Sequence, residues 1–253
     1  PNTRMIMIEA VSNPTLRVAD VTGIAELAAA HGALLVVDNT FTTPAMFRPM
    51  EHGADIVINS ITKFLAGHSD VTLGYVAARD PGLRTAIYDA AVTWGTTPSP
   101  FDCWLAERGL HTFDLRFERA QATAATLADA LAGRDGIRQV TYPGRADHPH
   151  HNRAGALFGG QFGNMLSFEI EGGRDEVNSF VMNAGGIPFA PTLGDVGCTL
   201  SHPASSSHRA LTTEGRAALG ISEGYFRLSV GIEPPELVLA ELDAALEVLR
   251  GES

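Results

Sequence analysis

The sequence contains little cysteine and an excess of negative charge. Its 253 residues include two cysteines, Cys103 and Cys198, too few for a disulfide framework and consistent with a reducing cytoplasm. Eighteen lysines and arginines stand against 29 aspartates and glutamates, which gives a formal net charge of -11. Because an acidic chain repels phosphate backbones and anionic lipid, we expect neither a nucleic acid nor a membrane as its partner. No apolar run approaches the roughly 20 residues that cross a bilayer.

The glycine-rich motifs of nucleotide sites are also missing. No G-x-G-x-x-G precedes Asp38, and the sequence contains no G-x-x-x-x-G-K-[ST]. Residues 205–207 with His208 do not match the G-x-S-x-G turn of serine hydrolases. These absences argue against a dinucleotide enzyme, a P-loop protein and a serine hydrolase.

The chain opens at Pro1, without a methionine, and runs at once into a strand-like segment. An α/β domain rarely begins this way, because its first strand then has no room for an upstream partner. We therefore expect this sequence to be the later part of a longer polypeptide.

Short apolar runs alternate with helical spacing in the first part of the chain. The predicted strands are residues 5–8, 34–37, 56–58 and 73–77. Residues 20–31 have apolar positions at helical spacing, and Gly32 follows as a stop signal. This order predicts an α/β fold with a mostly parallel sheet and right-handed crossovers.

The later part of the chain predicts a second, smaller layer. The pattern is helical over residues 101–131, and residues 96–100 form a turn that suits a helix start. Strand patterns follow at residues 165–170 and 226–230, and residues 234–250 predict a closing amphipathic helix. The predicted division is a large domain over 1–115, a linking helix over 116–133 and a small α/β domain over 134–253.

Polar residues follow the ends of three predicted strands. Asn13, Asp38 and the segment 60–63 each lie just beyond an apolar run. Ligands of open α/β sheets bind beyond the carboxyl ends of the strands. We therefore expect these side chains to meet in one crevice.

The chemistry of these residues suits pyridoxal phosphate (PLP). The amine of Lys63 can condense with an aldehyde, and the carboxylate of Asp38 can hold a pyridine nitrogen protonated. The hydroxyls of Ser60 and Thr62 can hold a phosphate. A solvated surface lysine and a carboxylate on a ribose are the competing interpretations of Lys63 and Asp38.

Arg227 stands inside an apolar strand pattern. It is either a polar residue of an amphipathic edge strand or a bidentate ligand of an amino-acid α-carboxylate. A metal site among the histidines is a less favoured candidate. His148, His150 and His151 are close together, but no carboxylate or cysteine stands at metal-ligand spacing, so zinc is a minor alternative.

The ordered motifs resemble the Cys/Met metabolism (trans-sulfuration) family of PLP enzymes, which includes cystathionine γ-lyase and methionine γ-lyase. The resemblance runs almost from end to end. The matching segments are residues 9–14, 37–41, 53–57, 60–63, 67–70, 98–102, 108–110, 142–144, 193–195, 202–204 and 227–233, with Pro44 and His208.

The resemblance implies a fold of type I and a role for each matching residue. Lys63 would form the internal aldimine and carry protons, and Asp38 would pair with the pyridine nitrogen. Ser60 and Thr62 would hold the phosphate, and Asn13 would hydrogen-bond the ring hydroxyl.

The same resemblance implies how a substrate is held. Arg227, Thr192 and Leu193 would form the part of the site that binds a small amino-acid substrate. It also implies a homo-oligomer, a dimer or tetramer, in the cytoplasm.

Two departures from the family pattern affect the expected reaction. The family's earlier segment, which supplies further phosphate and ring contacts, is not in this sequence. Pro191 stands where cystathionine γ-lyases have a glutamate, so cystathionine is a less secure substrate.

Together these residues predict a PLP-dependent carbon–sulfur lyase that acts on a sulfur-containing amino acid by α,γ- or α,β-elimination through the Lys63 aldimine. The first alternative is a γ-replacement enzyme, either an O-acyl-homoserine sulfhydrylase or a cystathionine γ-synthase. The second is an inactive, N-terminally truncated fragment.

Overall fold

The computed structural model describes residues 2–249 and 251, and in them the chain builds two sheets flanked by helices. The strands are β1 (Met5–Glu9), β2 (Leu34–Asp38), β3 (Ile56–Ser60), β4 (Gly74–Ala78), β5 (Ile137–Thr141), β6 (Met165–Ile170), β7 (Thr199–Ser201) and β8 (Tyr225–Ser229). One sheet has the order β1-β2-β3-β4 and the other β5-β6-β8-β7.

The described helices account for the segments between the strands. They are α1 (Val21–Ala30), α2 (Thr43–Met46), α3 (Pro81–Trp94), α4 (Pro100–Leu110), α5 (Phe113–Leu131), α6 (His151–Phe158), α7 (Arg174–Asn183), α8 (Thr213–Ala218) and α9 (Pro235–Leu249), with a 3-10 turn at Pro49–His52. In this part of the chain no helix is both long enough and apolar enough to cross a membrane.

The first three strands are parallel and in close register. Glu9 of β1 lies beside Asp38 of β2, and Asp38 lies beside Ile58 of β3. The carboxyl ends of these strands therefore meet along one edge of the sheet, as the sequence predicted.

The fourth strand departs from the parallel pattern. β4 pairs antiparallel with β3, and Ser60 lies beside Gly74. Residues 61–73, all described, contain turns and no helix. A strand that returns without a crossover element runs antiparallel to its neighbour.

Side-chain caps fix several helix starts. Asp20 accepts a hydrogen bond from the amide of Gly23 (3.2 Å), and Ser99 accepts one from the amide of Asp102 (3.1 Å). α3 lies in a segment for which the sequence analysis made no prediction. The pair Asp80-Pro81 is its start signal, since Asp80 accepts from the amide of Leu83 (2.8 Å).

The helical stretch predicted over 101–131 forms two helices, α4 and α5, separated by a turn at His111 and Thr112. α5 contributes to both hydrophobic cores. Phe113 and Phe117 pack with the parallel sheet, whereas Leu127 and Leu131 pack with the second sheet. The predicted domain division stays a prediction, and α5 spans most of its linking segment.

The second sheet is antiparallel and places Arg227 in its interior. β8 lies between β6 and β7, so the edge-strand interpretation of Arg227 is wrong. The closing helix ends at Leu249, and residue 250 of the predicted helix lies outside the described residues.

Three phenylalanines form the centre of the second core. Phe168, Phe180 and Phe226 are at most 1% exposed, and their ring centroids lie 5.0–5.9 Å apart. Aromatic pairs at this spacing add to the free energy gained by burial.

Phe180→Ala is expected to lower the free energy of unfolding by about 3–5 kcal/mol, because it removes a buried ring and leaves a cavity. Urea denaturation followed by circular dichroism measures this loss. Met182→Ala on the same helix is the control, because Met182 is 79% exposed. Equal stability of the two variants would contradict this account of the core.

Candidate active site

The ends of β2 and β3 are tied together by one threonine. The amide of Thr40 donates to Oδ1 of Asp38 (2.9 Å), and Oγ1 of Thr40 accepts from the amide of Ser60 (3.0 Å). The Asp38 carboxylate and the Ser60 segment are thereby held at one edge of the sheet.

Lys63 lies in a turn directly after β3. Its amide donates to the carbonyl of Ser60 (3.3 Å), and its carbonyl accepts from the amide of Gly67 (2.8 Å). The half-buried side chain extends to the loop before β7, where Nζ donates to Oγ1 of Thr192 (3.3 Å). Lys63 therefore bridges the segment after β3 and the loop before β7.

The electrostatic environment favours a neutral Lys63 amine. Burial lowers its pKa, and the positive charge of Arg227 lowers it further. A neutral amine is a nucleophile and can accept a proton.

Arg227 is a buried cation with no acidic partner among the described residues. It is 3% exposed; Nη1 donates to Oδ1 of Asn13 (2.9 Å), and Nη2 donates to the carbonyl of Thr192 (2.7 Å). Nε has no hydrogen-bond partner in the described structure. Burial lowers the pKa of Arg227 to about 10. A buried cation without an acidic partner is stabilised by an incoming anion.

The loop after Thr192 packs tightly on the lysine turn. Gly194 has φ +85°, and a Cβ there would lie 2.7–2.8 Å from backbone atoms of Lys63 and Phe64. Its amide donates to Oγ of Ser229 (2.9 Å). Only glycine allows this close approach. The side chain of Leu193 packs in the first hydrophobic core.

Glu233 anchors the other end of this loop. It accepts from the amide of Cys198 (2.6 Å) and from its thiol (3.2 Å). Burial, and then the neighbouring Glu233 charge, raise the pKa of this thiol to about 12. Cys198 is therefore a protonated structural residue at neutral pH.

The two predicted phosphate hydroxyls differ in their surroundings. Oγ1 of Thr62 donates to the carbonyl of Leu73 (3.1 Å) and accepts from its amide (2.9 Å). No protein hydrogen bond to Oγ of Ser60 occurs among the described residues, so that hydroxyl is available to a ligand.

The sequence analysis missed two features of this site. Lys63 is the single lysine among 253 residues, a signal that simple counting reveals. Glu9 lies beside Asp38 across the sheet and accepts from the amide of Asn13 (3.0 Å). Burial is the main cause that raises the pKa of Glu9, and the Asp38 charge adds to it.

The histidines of the predicted metal alternative make hydrogen bonds to the backbone. Nδ1 of His148 accepts from the amide of His150 (3.1 Å), and Nδ1 of His150 accepts from the amide of Val18 (3.0 Å). Nδ1 of His151 lies 2.9 Å from the carbonyl of Pro143. Within residues 2–249 and 251 no group of three or more histidines, cysteines and acidic residues is arranged to hold a metal ion.

Similarity to known proteins covers nearly the whole chain. Residues 1–247 match the family model described as Cys/Met metabolism PLP-dependent enzyme. The chain is 41% identical to a cystathionine beta-lyase of Bacillus subtilis over 98% of its own length and 63% of that relative. It is 40% identical to an L-methionine gamma-lyase of Pseudomonas putida, again over 98% of this chain and 62% of the relative.

A solved structure gives the same assignment. Cystathionine gamma synthase from Xanthomonas oryzae pv. oryzae, in complex with cystathionine, superposes with a TM-score of 0.94 at 44% identity, covering 99% of this chain and 64% of that one. The fold is thus that of PLP-dependent enzymes of type I. The chain belongs to the Cys/Met metabolism family of PLP-dependent enzymes. It spans 62–63% of the two curated relatives named above.

The described residues fit the cofactor of this family. Lys63 offers an amine whose pKa burial lowers, and Asp38 offers a carboxylate at the neighbouring strand end. The unengaged hydroxyl of Ser60 lies on the same edge. Thr62 fits the phosphate less simply, because its hydroxyl already bonds the backbone of Leu73.

The single lysine permits a direct titration of the site. After reductive methylation with ¹³C-formaldehyde, Lys63 is the one ε-amine reported by NMR, and we expect a pKa below the ordinary lysine value. Arg227→Met should raise this pKa, because it removes a neighbouring positive charge.

The lowered pKa of Lys63 also affects stability, because folding is penalised while the amine is protonated in the unfolded chain. Stability from this group therefore increases as pH rises from the folded towards the unfolded pKa.

Arg138→Met is the matched control for this titration. Arg138 is an exposed arginine of β5 whose guanidinium pairs with Glu169 at 2.8 Å. An unshifted Lys63 pKa in wild type would contradict both causes. Equal values in the two variants would show that the charge of Arg227 does not act on the amine.

Proposed function

We propose that this chain carries the catalytic lysine and the substrate-carboxylate site of a PLP-dependent carbon–sulfur lyase. The substrate is a sulfur-containing amino acid, and the reaction is an α,γ- or α,β-elimination. The observation that carries the proposal is the buried Arg227, without an acidic partner in the described structure, close enough to affect the only lysine of the sequence.

Arg227 suits the α-carboxylate of an amino acid. Within the described part of the chain its Nε has no hydrogen-bond partner, and two hydrogen bonds, to Asn13 and Thr192, fix the plane of the guanidinium. A planar, oriented guanidinium binds a carboxylate better than a mobile ammonium does. The carboxylate would also neutralise the uncompensated charge.

Lys63 suits the proton transfers. Its Nζ would take the proton from Cα of the substrate and return a proton to the departing sulfur, so that the thiol leaves in neutral form. The hydrogen bond to Oγ1 of Thr192 orients the amine. When bound, PLP supplies the electron-withdrawing ring that makes the Cα proton acidic.

Three further residues would hold the cofactor in this proposal. Asp38 would accept a hydrogen bond from the pyridine nitrogen, and Asn13 would bond the ring hydroxyl. Ser60 would bind the phosphate, with Thr62 as a second hydroxyl. The family match and the common sheet edge support these roles.

A γ-replacement reaction is the second candidate. The 44% identity to a cystathionine gamma synthase favours it, and the residues needed for Cα deprotonation are the same in both reactions. An inactive fragment is not favoured, since the family match extends over residues 1–247.

We also propose a homo-oligomer, a dimer or tetramer, in the cytoplasm. Large aromatic side chains on the neighbouring helices α3 and α4 support the assembly. They are Tyr88, Trp94, Phe101 and Trp104, all between 54% and 82% exposed. Burial of such a surface between copies would be favourable.

Borohydride reduction of the purified protein with PLP tests the proposal. We expect one reduced adduct on Lys63, which peptide mass spectrometry locates, and loss of this adduct in Lys63→Ala. With cystathionine or methionine as substrate, the untreated protein should release a thiol and an α-keto acid. Release of a new thioether only when an acyl-homoserine and a thiol are supplied together would favour replacement. No adduct and no product would refute both reactions.

Arg227→Lys separates substrate binding from cofactor binding. The variant keeps the charge but loses the planar fork, so KM for the amino acid should rise by about 10-fold or more. The borohydride adduct on Lys63 should form as in wild type. Arg138→Lys is the matched control. An unchanged KM in Arg227→Lys would exclude Arg227 as the carboxylate ligand.

A further inference from the structure

We propose that Arg116 is a positioning residue that sets the direction of the Lys63 side chain. This inference rests on the proposed function, since it assigns a role within the same reaction. Arg116 lies on α5, does not touch the amine itself, and acts through the turn that follows Lys63.

The guanidinium of Arg116 donates hydrogen bonds to the carbonyl groups of that turn. Nη1 donates to the carbonyl of Phe64 (2.9 Å), and Nη2 donates to the carbonyls of Leu65 (3.1 Å) and Ala66 (3.4 Å). Nη2 also donates to the carbonyl of Gly109 at the end of α4 (2.9 Å). Three consecutive carbonyls after Lys63 are therefore fixed by one rigid group.

The backbone around Arg116 approaches its guanidinium closely. Gly67 has φ +75°, and a Cβ there would overlap the guanidinium. A Cβ at Gly109 would overlap the carbonyl of Ala66. Both glycines bring backbone and guanidinium together at the turn. A lysine would keep the charge but lose the planar fork, which reaches these carbonyl groups from two nitrogens.

Two further contacts connect this turn to the loop after Thr192. The amide of Val196 donates to the carbonyl of Gly67 (2.7 Å), and the hydroxyl of Ser69 donates to the carboxylate of Asp195. Burial lowers the pKa of Arg116, and the negative charge of Asp195 opposes this shift. The lysine turn, α5 and the loop after Thr192 are thus joined in one network.

The network explains why Lys63 can be placed accurately although it lies in a turn. A turn holds a side chain less firmly than a regular element unless its carbonyls are bound. A displacement of about 1 Å of a catalytic group can cost about 100-fold in rate. Arg116 supplies the constraint that regular secondary structure supplies elsewhere.

Arg116→Lys is the test, with Arg119→Lys as the matched control. Arg119 is exposed on the same helix and reaches one carbonyl, that of Ile232, at 3.5 Å. For the holoprotein we expect Arg116→Lys to lower kcat by about 10–100-fold and to change KM by less than about 3-fold, because Arg227 and Thr192 are untouched. The pH midpoint of the visible PLP absorption should also shift, and the Lys63 adduct should form more slowly.

The outcomes separate this inference from the proposed function. A wild-type protein that forms no Lys63 adduct refutes the proposed function. A functional wild type, with an Arg116→Lys variant whose kcat, pH midpoint and adduct rate match Arg119→Lys, refutes the role of Arg116. If Arg116→Lys loses its folded circular dichroism spectrum, Ser69→Ala carries the test. That variant removes only the contact to Asp195 and should shift the pH midpoint and lower kcat by less than Arg116→Lys is expected to. A pH midpoint and kcat that match Arg119→Lys would refute the inference.

Discussion

The buried guanidinium of Arg227 is the constraint around which the two sheets are arranged. It bonds Asn13, which follows the first parallel strand, and the carbonyl of Thr192, which belongs to the loop before β7. Among the described residues this cation has no acidic partner and its Nε has no hydrogen-bond partner, and burial of a charge in this state is costly. In the proposed function, the carboxylate of the substrate offsets that cost by neutralising the charge. The lowered pKa of Lys63 follows from the same burial and the same charge.

Three residues position the backbone segments that carry the site. Thr40 joins the ends of β2 and β3, Gly194 lets the loop after Thr192 approach the turn that holds Lys63, and Glu233 holds the far end of that loop. α5 connects the two sheets, because its first turns pack with the first sheet and its last turns pack with the second. Small displacements of α5 would therefore be felt at both sides of the site.

The parallel strands and the caps could be predicted because their signals are local. Apolar runs of strand length, Asp20 before α1 and Ser99 before α4 need no distant partner. The antiparallel β4 was not predicted, since strand direction depends on how the connection returns across the sheet. The assignment of Arg227 to an edge or an interior was equally open, because strand order in a sheet is a property of pairing and not of the strand's own sequence.

The sequence alone determined the chemical inventory: one lysine, a carboxylate at a strand end, neighbouring hydroxyls and an arginine in an apolar strand. Those residue types, with their order along the chain, were sufficient to indicate the family. Only the tertiary structure decided which of them share an environment. In the structure the hydroxyl of Thr62 bonds the backbone of Leu73, and the hydroxyl of Ser60 is available to a ligand. Thr192, 129 residues away along the chain, lies within hydrogen-bond distance of Lys63. The reason is physical, since desolvation and close contact depend on distance in space, and distance along the chain does not report it.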